Sequence, residues 1–123
     1  MTRREERIEA FKVVFQNLFI NKSDLYEENN SKSEFIELLI NTVENNKSEL
    51  INEIKTFAST EKFARFYLID LAIILLSYAE IKYNITAKEI VVNEAVEIAK
   101  IYSTDQSPSF INGFLKALIN NGN

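Results

Sequence analysis

Three arginines near the start of the chain could bind an anionic ligand. On a helix, Arg3, Arg4 and Arg7 fall within one arc of about 100°, in the same stripe as the apolar residues that follow them. A guanidinium group matches a phosphate through two parallel hydrogen bonds. Such long side chains can also reach past the end of a helical bundle into water and bind nothing. The pattern leaves both interpretations open, an anion-binding site and a solvated helix start.

A second candidate site consists of carboxylates flanked by isoleucines. One stripe of a predicted helix, opposite its core face, contains Ile90, Glu94, Glu97 and Ile101. A surface of this kind fits a basic protein partner through complementary charge. A solvated helix face with incidental apolar residues would have the same pattern. Nothing in the pattern shifts the pKa values of the two carboxylates toward acid–base chemistry, so we expect no enzyme activity.

The composition excludes several kinds of catalytic and metal site. The 123 residues include no cysteine and no histidine, which rules out disulfides, thiol catalysis, and zinc sites or general bases that use imidazole. Two glycines cannot build a phosphate-binding loop. We therefore expect no cofactor and no bound metal.

Net charge and the first residues favour a cytoplasmic protein without a membrane segment. The chain begins MTRREER and has no apolar stretch of the signal-peptide type after it. A net charge of −4 is unfavourable for nucleic-acid binding, because phosphate affinity comes mainly from Lys and Arg. Any such binding must be local and helped by a partner.

Helical periodicity runs along the chain and predicts an all-α fold. We expect one compact domain over residues 1–123 with about six to seven helices. Polar residues 21–32 predict a loop, Asn45 and Asn46 a break, and residues 60–82 one long helix. Helix starts are predicted by three capping boxes and by a serine–proline pair: Thr2 with Glu5, Ser31 with Glu34, Thr86 with Glu89, and Ser107 with Pro108.

Residues 67–79, YLIDLAIILLSYA, predict a buried central helix. Its uninterrupted apolar run is too short to cross about 30 Å of hydrocarbon. Asp70 interrupts the run and must either have a hydrogen-bond donor or face outward. Leu68, Leu71 and Leu75 share one arc, which is either core or an apolar patch covered by a second copy in a homodimer. We favour the core.

Residues 91–115, VVNEAVEIAKIYSTDQSPSFINGFL, resemble the C-terminal signature of the NusB transcription antitermination factors. That signature reads INEAVELAK, then an acidic turn with serine, then FVNG. Residues 7–16, RIEAFKVVFQ, are similar to the family's pattern R-x-x-A-x-Q-x-L-Y. The central DLAII and the EI pair at residues 80–81 look like the family's V-D-R-A-I-L…Y-E-L helix.

The resemblance implies an all-helical fold of two helical subdomains. It implies binding to the boxA element of nascent ribosomal RNA, together with the small-subunit ribosomal protein NusE, on an elongating RNA polymerase complex. A protein–protein adaptor without significant RNA affinity is the alternative. Salt-dependent RNA binding would separate the two.

The resemblance also implies site residues at matching positions. The RNA contacts would be Arg3, Arg4, Arg7, Phe15, Asp70, Tyr102, Gln106 and Phe110. The partner contacts would be Glu80 and Glu94, and Asp70 would then face outward. Two positions that are basic in the family are Leu71 and Leu75 here, which weakens the RNA affinity expected of the protein alone.

Overall fold

The structure is a computed structural model, and it describes residues 1–19 and 33–121. Within these ranges every regular element is helical, as the sequence predicts. The predicted loop over residues 21–32 lies outside the described residues. The helices are α1 (Arg3–Asn17), α2 (Glu34–Ala58), α3 (Thr60–Phe63), α4 (Leu68–Lys82), α5 (Lys88–Tyr102) and α6 (Ser107–Asn121).

The central helix is α4, as predicted. All residues from Asp70 to Glu80 are buried, because the helix is apolar nearly all the way round. On one side α1 and α2 pack on each other and on α4, and on the other α5 and α6 do the same. Both helix groups share one hydrophobic core around α4.

Leu71 and Leu75 belong to that core, with exposed fractions of 7% and 0%. Leu68, the third residue of the arc, is 46% exposed. The core interpretation is therefore correct for two of the three leucines. The apolar patch on which the homodimer hypothesis depended does not form.

The predicted helix starts are correct in part. Thr2 and Glu5 form the predicted capping box at the start of α1. The N-cap of α2 is Ser33, whose side chain accepts a hydrogen bond from the backbone N–H of Ile36, while Ser31 lies outside the described residues. At α5 the predicted Thr86 cap is wrong, because Ala87 occupies the N-cap without a side-chain hydrogen bond.

The predicted break at Asn46 is a kink inside one helix. Asn46 has non-helical dihedral angles (φ −126°, ψ 15°), but α2 continues on both sides of it. Its side-chain amide donates to the backbone oxygen of Thr42 at 2.8 Å. This local hydrogen bond satisfies a carbonyl group at the kink and lets the helix resume.

The helix predicted over residues 60–82 is interrupted instead. Ala64 to Tyr67 form a turn between α3 and α4, with i→i+3 backbone hydrogen bonds to Lys62 and Phe63. The turn places Phe66 against two rings of α6, at 5.1 Å from Phe110 and 5.3 Å from Phe114. Tertiary packing of an aromatic residue thus overrides a local helical pattern.

Candidate functional site

Arg7 and Glu80, predicted to contact two different ligands, pair with each other. The Arg7 Nη2 atom lies 2.6 Å from Oε2 of Glu80, and its Nε lies 3.1 Å from both carboxylate oxygens. Their side chains are 7% and 1% exposed. Thr86 accepts a further hydrogen bond from Arg7 at 3.4 Å, which explains why its hydroxyl does not cap α5. The expectation that either charge is free to meet a ligand is wrong.

Arg4 and Glu94 form a second pair between α1 and α5. The guanidinium donates two parallel hydrogen bonds to the carboxylate, at 3.0 and 2.9 Å. These bonds lower the pKa of Glu94, while the same carboxylate raises the pKa of Arg4. The Arg4 side chain is 44% exposed, so unlike Arg7 it remains accessible to solvent.

Arg3 is the most exposed of the three arginines. Its Nη1 donates to Glu6 at 2.9 Å, and its guanidinium carbon lies 4.0 Å from the centroid of the Phe35 ring. Glu6 itself is buried. All three arginines do share one end of the bundle, and each already has a carboxylate partner.

Phe15 and Tyr102 belong to one aromatic cluster between α1 and the end of α5. Phe11 joins them, with ring centroids 6.3 Å from Phe15 and 5.4 Å from Tyr102. Tyr102 is partly open to solvent, and the ammonium of Lys12 lies 6.0 Å from its ring centroid. Lys12 is exposed and has no carboxylate partner in the described part of the chain. The cluster thus places an exposed cation beside aromatic rings.

Asp70 does not face outward, so that expectation is wrong. It is 2% exposed, and its two oxygens accept hydrogen bonds from the hydroxyls of Ser103 at 2.5 Å and Ser107 at 2.9 Å. Ser107 also accepts from the backbone N–H of Thr104 at 3.3 Å. Ser107 is the first residue of α6 rather than its cap. The carboxylate therefore ties α4 to the turn between α5 and α6.

Gln106 and Phe110 are exposed at the end of that turn and on the first turns of α6. Both line a cavity of about 610 Å³, whose other walls come from the end of α2, from α3 and from the turn before α4. Asp70 lies at its inner surface. The structure therefore separates the predicted RNA contacts into three neighbouring places: the arginine end of α1, the cluster of Phe15 and Tyr102, and this cavity.

The predicted partner stripe on α5 is partly available. Ile90 and Ile101 are 53% and 59% exposed, whereas Glu94 and Glu97 are half-buried. Glu97 accepts a hydrogen bond from Lys100 at 2.8 Å on its own helix. The stripe presents two apolar side chains around carboxylates that already have cationic partners.

Sequence reasoning missed the residues on the other wall of the cavity, above all Lys62, Arg65 and Phe66. Residues 61–67, EKFARFY, alternate basic and aromatic side chains, which is a usable signal for a surface that binds nucleic acid. The sequence analysis did not use this signal, because the segment was predicted to be the start of a long helix over residues 60–82.

The described residues hold no cluster of carboxylates suited to a metal ion. Among residues 1–19 and 33–121, no helix is long and apolar enough to cross a membrane.

Comparison with known proteins gives the family. The model of the NusB family matches residues 4–120. The transcription antitermination protein NusB of Clostridium novyi (strain NT) is 33% identical, over 97% of this chain and 98% of its own length. The chain belongs to the NusB family.

Another relative and a solved structure agree with this assignment. The NusB protein of Ligilactobacillus salivarius (strain UCC118) is 36% identical, over 88% of this chain and 93% of its own length. The structure of T. maritima NusB superposes with a TM-score of 0.82 at 25% identity, covering 98% of this chain and 92% of that one. The resemblance seen in the sequence is therefore confirmed, and so is the NusB-like helical fold.

Proposed function

We propose that this NusB-family protein is a transcription antitermination factor that binds boxA-type RNA together with the ribosomal protein NusE, on an elongating RNA polymerase. The observation that carries the proposal is the family match, which covers residues 4–120 of the 123. The relatives at 33% and 36% identity are themselves named transcription antitermination proteins. The proposed role is binding and assembly, and it requires no catalytic step.

The RNA would lie along the accessible cations and rings. Arg3 and Arg4 are exposed enough to meet phosphates, and Tyr102 and Phe110 offer partly open rings on which bases can stack. Lys12 adds a cation beside Tyr102, and it has no carboxylate partner among the described residues. Buried residues take a different part in the proposal. Arg7 and Asp70 would hold the surface in place and not touch the RNA.

The partner would meet the α5 stripe. NusE, as a ribosomal protein, is expected to be basic, and Glu94 is the carboxylate of the stripe that also contacts α1. Glu80 is 1% exposed and pairs with Arg7, so the proposal gives it a structural role and no contact with the partner. Exposed Ile90 and Ile101 would supply the apolar contacts around Glu94.

One observation favours the adaptor without RNA affinity as a second candidate. Arg3, Arg4 and Arg7 each have a carboxylate partner within 3 Å, so an RNA phosphate must compete with that partner for the guanidinium. This competition reduces the binding free energy that each phosphate contact contributes. The first-helix arginines alone are therefore weak support for RNA binding.

Titration of a fluorescently labelled, single-stranded boxA-like RNA tests the proposal. We expect salt-dependent binding, with log affinity falling linearly against log salt, and tighter binding when the ribosomal protein is present. Arg4→Ala should weaken binding, and Lys55→Ala, an exposed residue on α2 away from the arginine end, is the charge-matched control. Binding of the ribosomal protein without salt-dependent RNA binding would favour the adaptor.

A further inference from the structure

A groove between α5 and α6 lies outside the surfaces that the proposed function gives to the RNA and to the ribosomal protein. Its volume is about 460 Å³, within the roughly 300–1,000 Å³ typical of ligand sites. Val92, Val96 and Ile119 form an apolar floor, in which Val92 is 6% and Ile119 is 8% exposed. Polar side chains from both helices form its walls: Lys88, Glu89, Asn93, Asn112, Lys116 and Asn120.

Three asparagines of the groove have available side-chain amides. Asn93 on α5 and Asn120 on α6 are exposed, and Asn112 on α6 is half-buried. None of the three amides forms a hydrogen bond with residues 1–19 or 33–121. A primary amide both donates and accepts hydrogen bonds, which matches the backbone N–H and C=O groups of a peptide. The groove therefore offers hydrogen bonds to an extended chain from both of its helices.

The groove is basic although the whole protein is acidic. Lys88 and Lys116 are exposed, and neither has a carboxylate partner in the described part of the chain. Among the described residues of the lining, Glu89 is the only carboxylate. The lining thus has one positive charge in excess, whereas the net charge of the chain is −4. This local charge favours acidic side chains on an occupant and disfavours a basic partner.

The two walls of the groove have the same length. Val96 follows Lys88 by eight positions on α5, and Asn120 follows Asn112 by eight positions on α6, so each wall is about 12 Å long at 1.5 Å per residue. An extended peptide rises about 3.3 Å per residue, so this length accommodates about four residues. The described residues of the lining include no aromatic ring on which a nucleic-acid base could stack. Length, floor and amides together favour a peptide over RNA.

The groove is also separate from the α5 stripe proposed for the ribosomal protein. Val92 and Val96 follow Ile90 and Glu94 by two positions each, which places them about 160° away from the stripe around the helix axis. The stripe lies beside α1, where Glu94 pairs with Arg4, whereas the groove lies beside α6. Two partners can therefore occupy α5 at the same time.

We propose that the α5–α6 groove binds an extended acidic segment, about four residues long, of a second protein partner. Apolar side chains of the segment rest on the floor, and its carboxylates meet the ammonium groups of Lys88 and Lys116. The amides of Asn93, Asn112 and Asn120 form hydrogen bonds with its backbone. The inference goes beyond the proposed RNA-binding function and does not depend on it.

Fluorescence anisotropy with a labelled peptide tests the groove in the full chain. The probe alternates glutamate and leucine over four residues between Gly-Ser flanks, and a comparison peptide has glutamine in place of glutamate. We expect saturable binding of the probe, and binding at least about tenfold weaker for the glutamine peptide and for the probe with Lys116→Glu. Lys55→Glu, an equal charge reversal at an exposed position of α2, should bind the probe as the unaltered protein does. Equal affinities of these two variants, or no saturable binding up to about 1 mM, would overturn the inference.

A second variant separates a peptide site from simple charge attraction. Asn93→Ala with Asn120→Ala removes two exposed amides without changing the charge, and we expect at least about fivefold weaker binding of the probe with unchanged circular dichroism. Asn41→Ala with Asn45→Ala removes two exposed amides from α2 and is the matched control. Equal probe affinity in the two double variants would contradict the hydrogen bonds to the peptide backbone.

NMR spectra of nitrogen-15-labelled protein locate the bound probe. We expect the side-chain amide signals of Asn93, Asn112 and Asn120 to shift, and to stay shifted when boxA-like RNA or the ribosomal protein is added to saturation. Displacement of the probe by the RNA would make the groove a nucleic-acid site, and displacement by the ribosomal protein would make it part of that partner's surface. Either displacement overturns the inference. Salt-dependent RNA binding is measured without the probe, so failure of this inference and failure of the proposed function are distinguishable.

Discussion

At the scale of single residues, the charges of α1 are held by carboxylates that are distant in sequence. Arg7 and Glu80 are 73 positions apart, and Arg4 and Glu94 are 90 apart. The helical arc of the arginines was predictable from their spacing, but their partners depend on how α1 docks against α4 and α5. For this reason the sequence predicted two separate ligand-binding groups where the structure has ion pairs within the protein.

The buried pair of Arg7 and Glu80 gives the first prediction. Glu80→Gln leaves the Arg7 guanidinium buried without its counter-charge, and we expect stability to fall by about 3–5 kcal/mol. Urea denaturation followed by circular dichroism measures the change. The double variant Arg7→Met with Glu80→Leu removes both charges and should recover most of the loss.

Two outcomes would contradict this account of the buried pair. A loss below about 1 kcal/mol in Glu80→Gln would match an exposed pair. A double variant as unstable as Glu80→Gln would show that the guanidinium without a partner is not the cause of the loss.

Glu94 gives a prediction on pH dependence. Hydrogen bonds from Arg4 lower the pKa of Glu94 below its ordinary value of 4.5. A lowered carboxyl pKa contributes stability that is fully present above about 4.5 and is lost as the pH falls through the folded-state pKa. Between about pH 5 and pH 3, the unaltered protein should therefore lose more stability than Glu94→Gln does.

Urea midpoints measured across that pH range check the Glu94 prediction. Glu89→Gln removes an equal charge from an exposed position of the same helix and serves as the control. If the urea midpoints of Glu94→Gln and of the unaltered protein change with pH in parallel, the ion pair with Arg4 does not contribute to stability in solution.

At the scale of elements, the burial of α4 was predictable because nearly all of its side chains are apolar. An apolar side chain at nearly every position allows only a central helix, whatever the neighbours are. The ends of elements were harder to predict, because a hydroxyl can be recruited by a tertiary partner. Thr86 pairs with Arg7, and Ser107 pairs with Asp70, so neither side chain performs the capping role that its local sequence suggests.

The junction of α4 with the α5–α6 turn gives the third prediction. Asp70→Ala removes the acceptor of two serine hydroxyls, one on half-buried Ser103 and one on buried Ser107, and we expect a loss of about 1–3 kcal/mol. Ser107→Ala breaks the same network, so the two changes should be non-additive by at least about 0.5 kcal/mol. A double-mutant cycle in urea measures the coupling.

Ser109→Ala is the control for that cycle. Ser109 is exposed on the same helix, and its removal should change stability by no more than about 0.5 kcal/mol. Strict additivity of the Asp70 and Ser107 variants would contradict a shared network. The network matters for the proposed function because the turn it holds carries Gln106 and leads to Phe110, two of the proposed RNA contacts.

At the scale of the whole molecule, acidic and basic side chains are distributed differently between the core and the surface. The net charge is −4, yet Lys12 and Lys62 have no carboxylate partner among the described residues, and Arg65 has only a surface contact with Glu61 at 3.9 Å. Two of the carboxylates, those of Glu80 and Asp70, are instead buried inside the fold. An acidic chain can therefore keep local basic surfaces, which removes the objection that its net charge raises against RNA binding.

Leucines on one arc of α4 give the last prediction, which tests in solution the buried position of Leu75 and the exposed position of Leu68. Leu75 is fully buried and Leu68 is 46% exposed. Leu75→Arg places an unpaired charge in the core and should cost more than about 4 kcal/mol, with loss of the cooperative urea transition. Leu68→Arg should change stability by no more than about 0.5 kcal/mol.

We expect the unaltered protein to sediment as a monomer up to about 100 μM, because the apolar area left by Leu68 alone is too small for a stable dimer. A dimer that dissociates in Leu68→Arg with its helicity retained would instead show that the exposed end of the arc is an interface between two copies.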